Sequence, residues 1–94
     1  MPVTRINEFH AAPGRSDALR DFLKSIIGMV VSSPGCLACE LLVDSEDASQ
    51  LVILETWDSI AAHQAAAKII PPEKIAEVMP LLAEPVKGRY YRPA

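Results

Sequence analysis

Long hydrophobic runs are missing from this chain. The longest unbroken apolar stretch, counting Gly28, is Ile26–Val31, whereas a membrane span needs about 20 residues. An excess of cations is missing too: nine Lys and Arg against 12 Asp and Glu leave a net charge of −3. A pI near 5.2 excludes a nucleic-acid module that works by neutralising phosphate. Glycine is scarce and its four copies, at 14, 28, 35 and 88, are scattered, so no phosphate-cradling loop is present. There are only two cysteines, in one Cys36-x-x-Cys39 pair. Structural zinc needs four ligands, and neither a second pair nor two closely spaced histidines accompanies this one. On a strand, an offset of three puts the two thiols on opposite faces, and the redox version of the motif belongs at a helix start. Two ordinary buried thiols and no metal site are expected. Asp44, Glu46 and Asp47 are too few for a calcium loop and read as a solvated turn. Met1–Glu8 lacks the apolar core of a signal peptide, and the expected location is cytoplasmic.

What the chain does have is an unusually apolar composition for its size. Of 94 residues, 50% are hydrophobic, with a mean hydropathy of +0.19. That excludes a disordered tail and describes one domain spanning 1–94. So small a domain buries only about 60% of its unfolded surface. The surplus of apolar side chains therefore predicts burial against a second copy, most simply in a two-fold homodimer.

Periodicity orders the chain as β-α-β-β-α-α-β. Val3–His10 reads as a strand closed by Pro13-Gly14. Ser16 is the expected cap of a helix carrying Leu19, Phe22, Leu23, Ile26, Ile27 and Val30 at three- and four-residue steps, stopped by Pro34-Gly35. Cys36–Asp44 and Gln50–Asp58 form a predicted hairpin around the polar 45–49 loop. Ser59 caps an Ala-rich helix expected to reach about Ile70. Pro72 opens a third helix with Ile75, Val78, Met79 and Leu82, kinked by Pro80. Pro85–Arg92 is the last strand. This order predicts an α+β fold of the ferredoxin-like split βαβ type, a four-stranded antiparallel sheet with helices on one face. In the third strand Leu51, Ile53, Glu55 and Trp57 share one face, and Val52, Leu54 and Thr56 the other. Both are mainly apolar, so the face without helices is expected to meet the sheet of a partner copy.

Four polar or aromatic residues interrupt these apolar stretches. Trp57, the only tryptophan, shares a face with Glu55; His63 follows on the first turns of the next helix; Asn7 is in mid-strand with the parity of Val3 and Phe9. Each alone also fits a structural role, as a core plug, an ion-pair partner, a satisfied helix histidine or a filler. Together they describe an apolar cleft between helices and sheet that suits a flat aromatic ligand. Phe22 and Met79 are the expected apolar substrate contacts.

Pro34-Gly35-Cys36-Leu37 with Glu40-Leu41-Leu42, then Leu54-Glu55-Thr56-Trp57-Asp58-Ser59 and Ala62-His63, resemble the antibiotic biosynthesis monooxygenase (ABM) domain family. The Pro13-Gly14 turn and Leu81-Leu82-Ala83-Glu84-Pro85 fit the same pattern, so the likeness runs through nearly the whole chain. It implies a dimeric α+β barrel made from two four-stranded sheets. It also implies oxidation of quinols or polycyclic phenols by dioxygen with no bound cofactor; related proteins bind and degrade haem, and the alternative expectation is a non-catalytic dimer that binds a small molecule or haem. Trp57 stands at the family's Glu-x-Trp position, which lines the cavity. Asn7 stands where haem-degrading relatives have a substrate-contacting asparagine. Two positions depart from the pattern. His63 is closer to the tryptophan than the haem-ligating histidine of those relatives, and Ile53 replaces an asparagine of a polyketide monooxygenase. His63 is the expected base for a dihydroxy-aromatic substrate, with Glu55 the weaker alternative, Asn7 a donor to a substrate oxygen and Trp57 a stacking surface.

Overall fold

The structure is a computed structural model, and it describes residues 2–94. Strands β1 (Val3–His10), β2 (Cys36–Val43), β3 (Gln50–Trp57) and β4 (Lys87–Tyr91) form one sheet in the order β2-β3-β1-β4. Every neighbouring pair is antiparallel. Helices α1 (Ser16–Val31), α2 (Ile60–Ala67) and α3 (Pro72–Val78) complete an α+β, ferredoxin-like fold of the expected element order. None of the helices among the described residues is long and apolar enough to cross a membrane.

The core lies between α1 and one face of the sheet. Leu19, Phe22 and Leu23, one stripe of α1, are buried against Phe9 of β1 and Leu51 and Ile53 of β3. A fully buried side chain of this kind contributes about 1.5–3 kcal/mol, so these few residues hold the helix to the sheet. The opposite face carries Ile6, Val52 and Leu54, all partly exposed, with Leu42 and Tyr91 more open.

Besides strand ends that differ by one or two residues, as where β4 starts at Lys87 and not Pro85, three details differ from the sequence expectation. Ser16 is the first helical residue and not the cap; Arg15 takes the cap position without a side-chain hydrogen bond. Ser59 does cap α2, accepting from the Ala62 N–H at 3.1 Å. That helix ends at Ala67 and not near Ile70, because Pro71 forces the residue before it out of the helical region. Pro80, as expected, breaks α3, and Met79–Leu81 continue as a single 3-10 turn.

The third difference concerns the cysteines. Cys36 pairs with Trp57, Ala38 with Thr56 and Cys39 with Glu55, and the ladder shifts register between Cys36 and Ala38. Leu37 is the extra residue of a β-bulge. A bulge changes the parity of everything beyond it, so both thiols share the face of Glu55 and Trp57 instead of pointing apart. The preceding turn explains why the bulge sits there. Gly35 has φ +87°, and a Cβ on it would come within 2.7 Å of the Ala62 Cβ. The chain enters β2 pressed against α2.

Candidate active site

An apolar cavity of 280 Å³ opens between the helices and the core face of the sheet. Phe22, Ile26, Ile53, Ile75 and Val78 form much of its wall, and Arg5, Asn7, Glu55, Trp57 and His63 gather at its polar end. The strand register explains that gathering. Arg5 stands opposite Glu55, and Val3 opposite Trp57, while on the other side of β1 Arg5 faces Tyr90 and Asn7 faces Gly88. Alternation then points all of these residues to the helix side.

Glu55 is the hub. It is 4% exposed, and among the described residues it is the one buried charged side chain. Trp57 Nε1 donates to its Oε1 at 2.8 Å, and Asn7 Nδ2 donates to its Oε2 at 3.1 Å. Arg5 Nε donates to Asn7 Oδ1 at 3.0 Å, which fixes the orientation of the Asn7 amide. Burial pushes the Glu55 carboxyl above its ordinary pKa, and the Trp57 hydrogen bond, the Arg5 charge and the Asn7 hydrogen bond only partly offset this. A carboxylate raised in this way becomes a better proton acceptor near neutral pH.

His63 stands over the same group. Its Nε2 is 3.8 Å from Glu55 Oε1, too far for a hydrogen bond. Its Nδ1 is 2.5 Å from the Tyr90 hydroxyl. The ring meets Trp57 and Tyr90 edge-on, with centroids at 5.4 and 5.3 Å. Burial, and secondarily the Arg5 charge, hold the His63 pKa below its ordinary value, which favours the neutral imidazole.

Of the residues expected from sequence, Asn7, Glu55, Trp57, His63 and Phe22 come together around one cavity. Met79 does not join them; it lies in the 3-10 turn, 58% exposed. Three participants escaped the sequence reading. The Arg5 guanidinium lies over the Tyr90 ring, 4.6 Å from its centroid. Gly88 leaves room for this, since a Cβ there would run into Arg5 Nη2 and come within 2.6 Å of Asn7 Oδ1. The Gly88-x-Tyr90 spacing was the available signal, because a gap followed two residues later by an aromatic on one strand face is the shape of a seat for a long side chain. Cys36 and Cys39, half-buried and not buried as expected, share the sheet face of Glu55 and Trp57 without lining the cavity. Burial first, and then the Glu55 charge, raise both, Cys39 to about 12.

The family profile described as antibiotic biosynthesis monooxygenase matches residues 2–69. The chain belongs to the antibiotic biosynthesis monooxygenase family. Solved structures agree over its full length. Rv0793 from Mycobacterium tuberculosis superposes with a TM-score of 0.86 at 27% identity, covering 100% of this chain and 96% of that one. PA3566 from Pseudomonas aeruginosa gives 0.87 at 28% identity, with 99% and 95% covered. SO0527 from Shewanella oneidensis gives 0.83 at 26% identity, with 96% and 88% covered. No curated protein sequence matches the chain at comparable significance. The profile spans β1 through α2 and so includes Asn7, Glu55, Trp57 and His63, whereas Gly88 and Tyr90 lie beyond it.

Proposed function

We propose that this ABM-family protein is a cofactor-independent monooxygenase for a small phenolic substrate of the quinol or anthrol type. The observation that carries the proposal is Glu55, a buried carboxylate at the polar end of an otherwise apolar cavity. Such a group is suited to take a proton from a phenol that has left water. The cavity volume lies near the low end of small-molecule sites, about 300–1,000 Å³, which suits a flat ligand of a few rings.

Glu55 is the proton acceptor in this reading. His63, favoured for that task from the sequence, already has Nδ1 engaged with Tyr90. It is better placed to donate from Nε2 to the oxygen that becomes a phenolate. Asn7 has one N–H committed to Glu55 and a second left for the substrate. Trp57 and Phe22 bound the ring. The phenolate passes one electron to dioxygen, and the radical and superoxide combine at carbon. For an anthrol, whose keto tautomer has a ring CH2, one oxygen atom becomes the new quinone carbonyl. The other leaves as water with the two hydrogens, so the substrate supplies every electron.

Haem fits the site less well, because the one His63 nitrogen that Tyr90 leaves free, Nε2, stands 3.8 Å from the Glu55 carboxylate, which favours a proton there over a metal. The partner in this reading is a second copy, joined through the face bearing Ile6, Val52, Leu54, Leu42 and Tyr91. The test is dioxygen consumption with a panel of naphthoquinols and anthrols, measured against each compound's own autoxidation and against Trp57→Ala. Uptake above autoxidation that the variant loses supports the proposal. No such uptake, together with a Soret band on adding haem, replaces it with a binding function.

A further inference from the structure

Tyr90 does not line the cavity, yet it determines what His63 presents there. It stands opposite Arg5 on β4, with its ring beneath the Arg5 guanidinium and its hydroxyl at His63 Nδ1. A neutral imidazole carries one proton, so one ring nitrogen donates and the other accepts. Two features decide which does which. Both Glu55 oxygens accept from N–H donors, Trp57 at Oε1 and Asn7 at Oε2, and this is the pattern of an ionised carboxylate. Opposite that charge, at 3.8 Å, an Nε2 lone pair would be repelled and an Nε2–H attracted. In addition, a phenol is a good donor and a poor acceptor, and an unprotonated imidazole nitrogen is a good acceptor.

We infer that Tyr90 is a positioning residue: by donating to His63 Nδ1 it keeps the ring proton on Nε2 and directs that N–H to the polar end of the cavity. The inference rests on the proposed role of His63 as a donor to substrate, but its first readout needs no turnover. The substrate oxygen then meets a fixed donor beside a fixed acceptor, His63 beside Glu55, without a tautomer change during the reaction.

The experiment is nitrogen NMR of the histidine-labelled protein at neutral pH, in a His10→Gln background so that only His63 reports. The expected spectrum has a pyrrole-type Nε2 and a pyridine-type Nδ1 displaced by an accepted hydrogen bond. In Tyr90→Phe that displacement is lost. A pyrrole-type Nδ1 in the parent, or an Nδ1 signal unmoved by Tyr90→Phe, overturns the inference. If Tyr90→Phe fails to fold, fluorotyrosine incorporated in a Tyr91→Phe background makes Tyr90 a stronger donor and should move Nδ1 further in the same direction; no movement overturns it. In turnover, Tyr90→Phe should lower kcat about three- to tenfold with little change in KM, the loss expected when one hydrogen bond is removed. An unchanged kcat in a variant whose Nδ1 signal has moved also counts against the positioning role. A parent protein that consumes no dioxygen refutes the proposed function, while the NMR result still decides the role of Tyr90.

Discussion

Two N–H donors, Trp57 and Asn7, stand in for the water that the Glu55 carboxylate would otherwise keep. They satisfy it without neutralising it, which leaves a charged group facing an apolar space. Glu55→Gln removes the proton acceptor and nearly conserves shape. The expected result is a fall in kcat of at least about 100-fold, the lower range for loss of a general base. His63→Ala, which removes only a donor, should cost less. Equal losses in steady-state kinetics would contradict this division of labour. Gly88→Ala acts on the same cluster from behind, pushing a methyl into Arg5 and Asn7. A loss of about 1–3 kcal/mol in denaturant unfolding is expected for such overpacking, and unaltered stability would mean that Arg5 has another place to sit. The alternating patterns of β1 and β3 made Asn7, Glu55 and Trp57 legible in the sequence as a set. Arg5, Gly88 and Tyr90 were legible only through the Gly88-x-Tyr90 spacing, because their meeting depends on which strand lies next to β1 and in what register. That is set by long-range closure of the sheet and not by the composition of either strand.

The elements follow their sequence signals closely where the signal is local. Hydrophobic alternation marked β1, an apolar run bounded by polar residues marked β3, the three- and four-residue spacing marked α1, and Pro80 marked the end of α3, while Pro71 set only the outer limit of α2. The bulge at Leu37 is different. It arises from packing the Pro34-Gly35 turn against α2, and it overturned an argument from parity that was sound for a regular strand. Gly35→Ala tests that packing, since it combines a left-handed backbone with a contact on Ala62; a loss of about 1–3 kcal/mol is expected for strain of this kind. The thiols give a second check on the element. Because burial and the Glu55 charge keep Cys39 protonated to about pH 12, alkylation at pH 8 should label Cys36 well before Cys39. Mass spectrometry showing Cys39 modified first would place it outside the face described.

For the molecule as a whole, the helices cover one face of the sheet and leave Ile6, Val52 and Leu54 partly exposed on the other. If a second copy covers them, the protein should run in light scattering at about twice 10.2 kDa, and Leu54→Glu should return it to a monomer by placing a charge in an apolar interface. A wild-type monomer would remove the dimer from the account. The family's fold was readable from the order of elements, and its cavity from residues stranded in apolar runs. The chemistry depends on whether the cavity ionises its ligand.

The most direct measurement is therefore the pH dependence of dioxygen consumption with a reactive naphthoquinol or anthrol, for the wild type and Glu55→Gln together. Glu55 must be ionised to act, so the rate should fall as pH drops through its folded pKa, with the acid limb above the ordinary carboxylate value of 4.5. The protein's advantage over autoxidation should narrow at high pH, where the phenol ionises unaided. Glu55→Gln should track autoxidation throughout. A wild-type curve that coincides with autoxidation at every pH, or a Glu55→Gln curve that coincides with the wild type, would contradict the account.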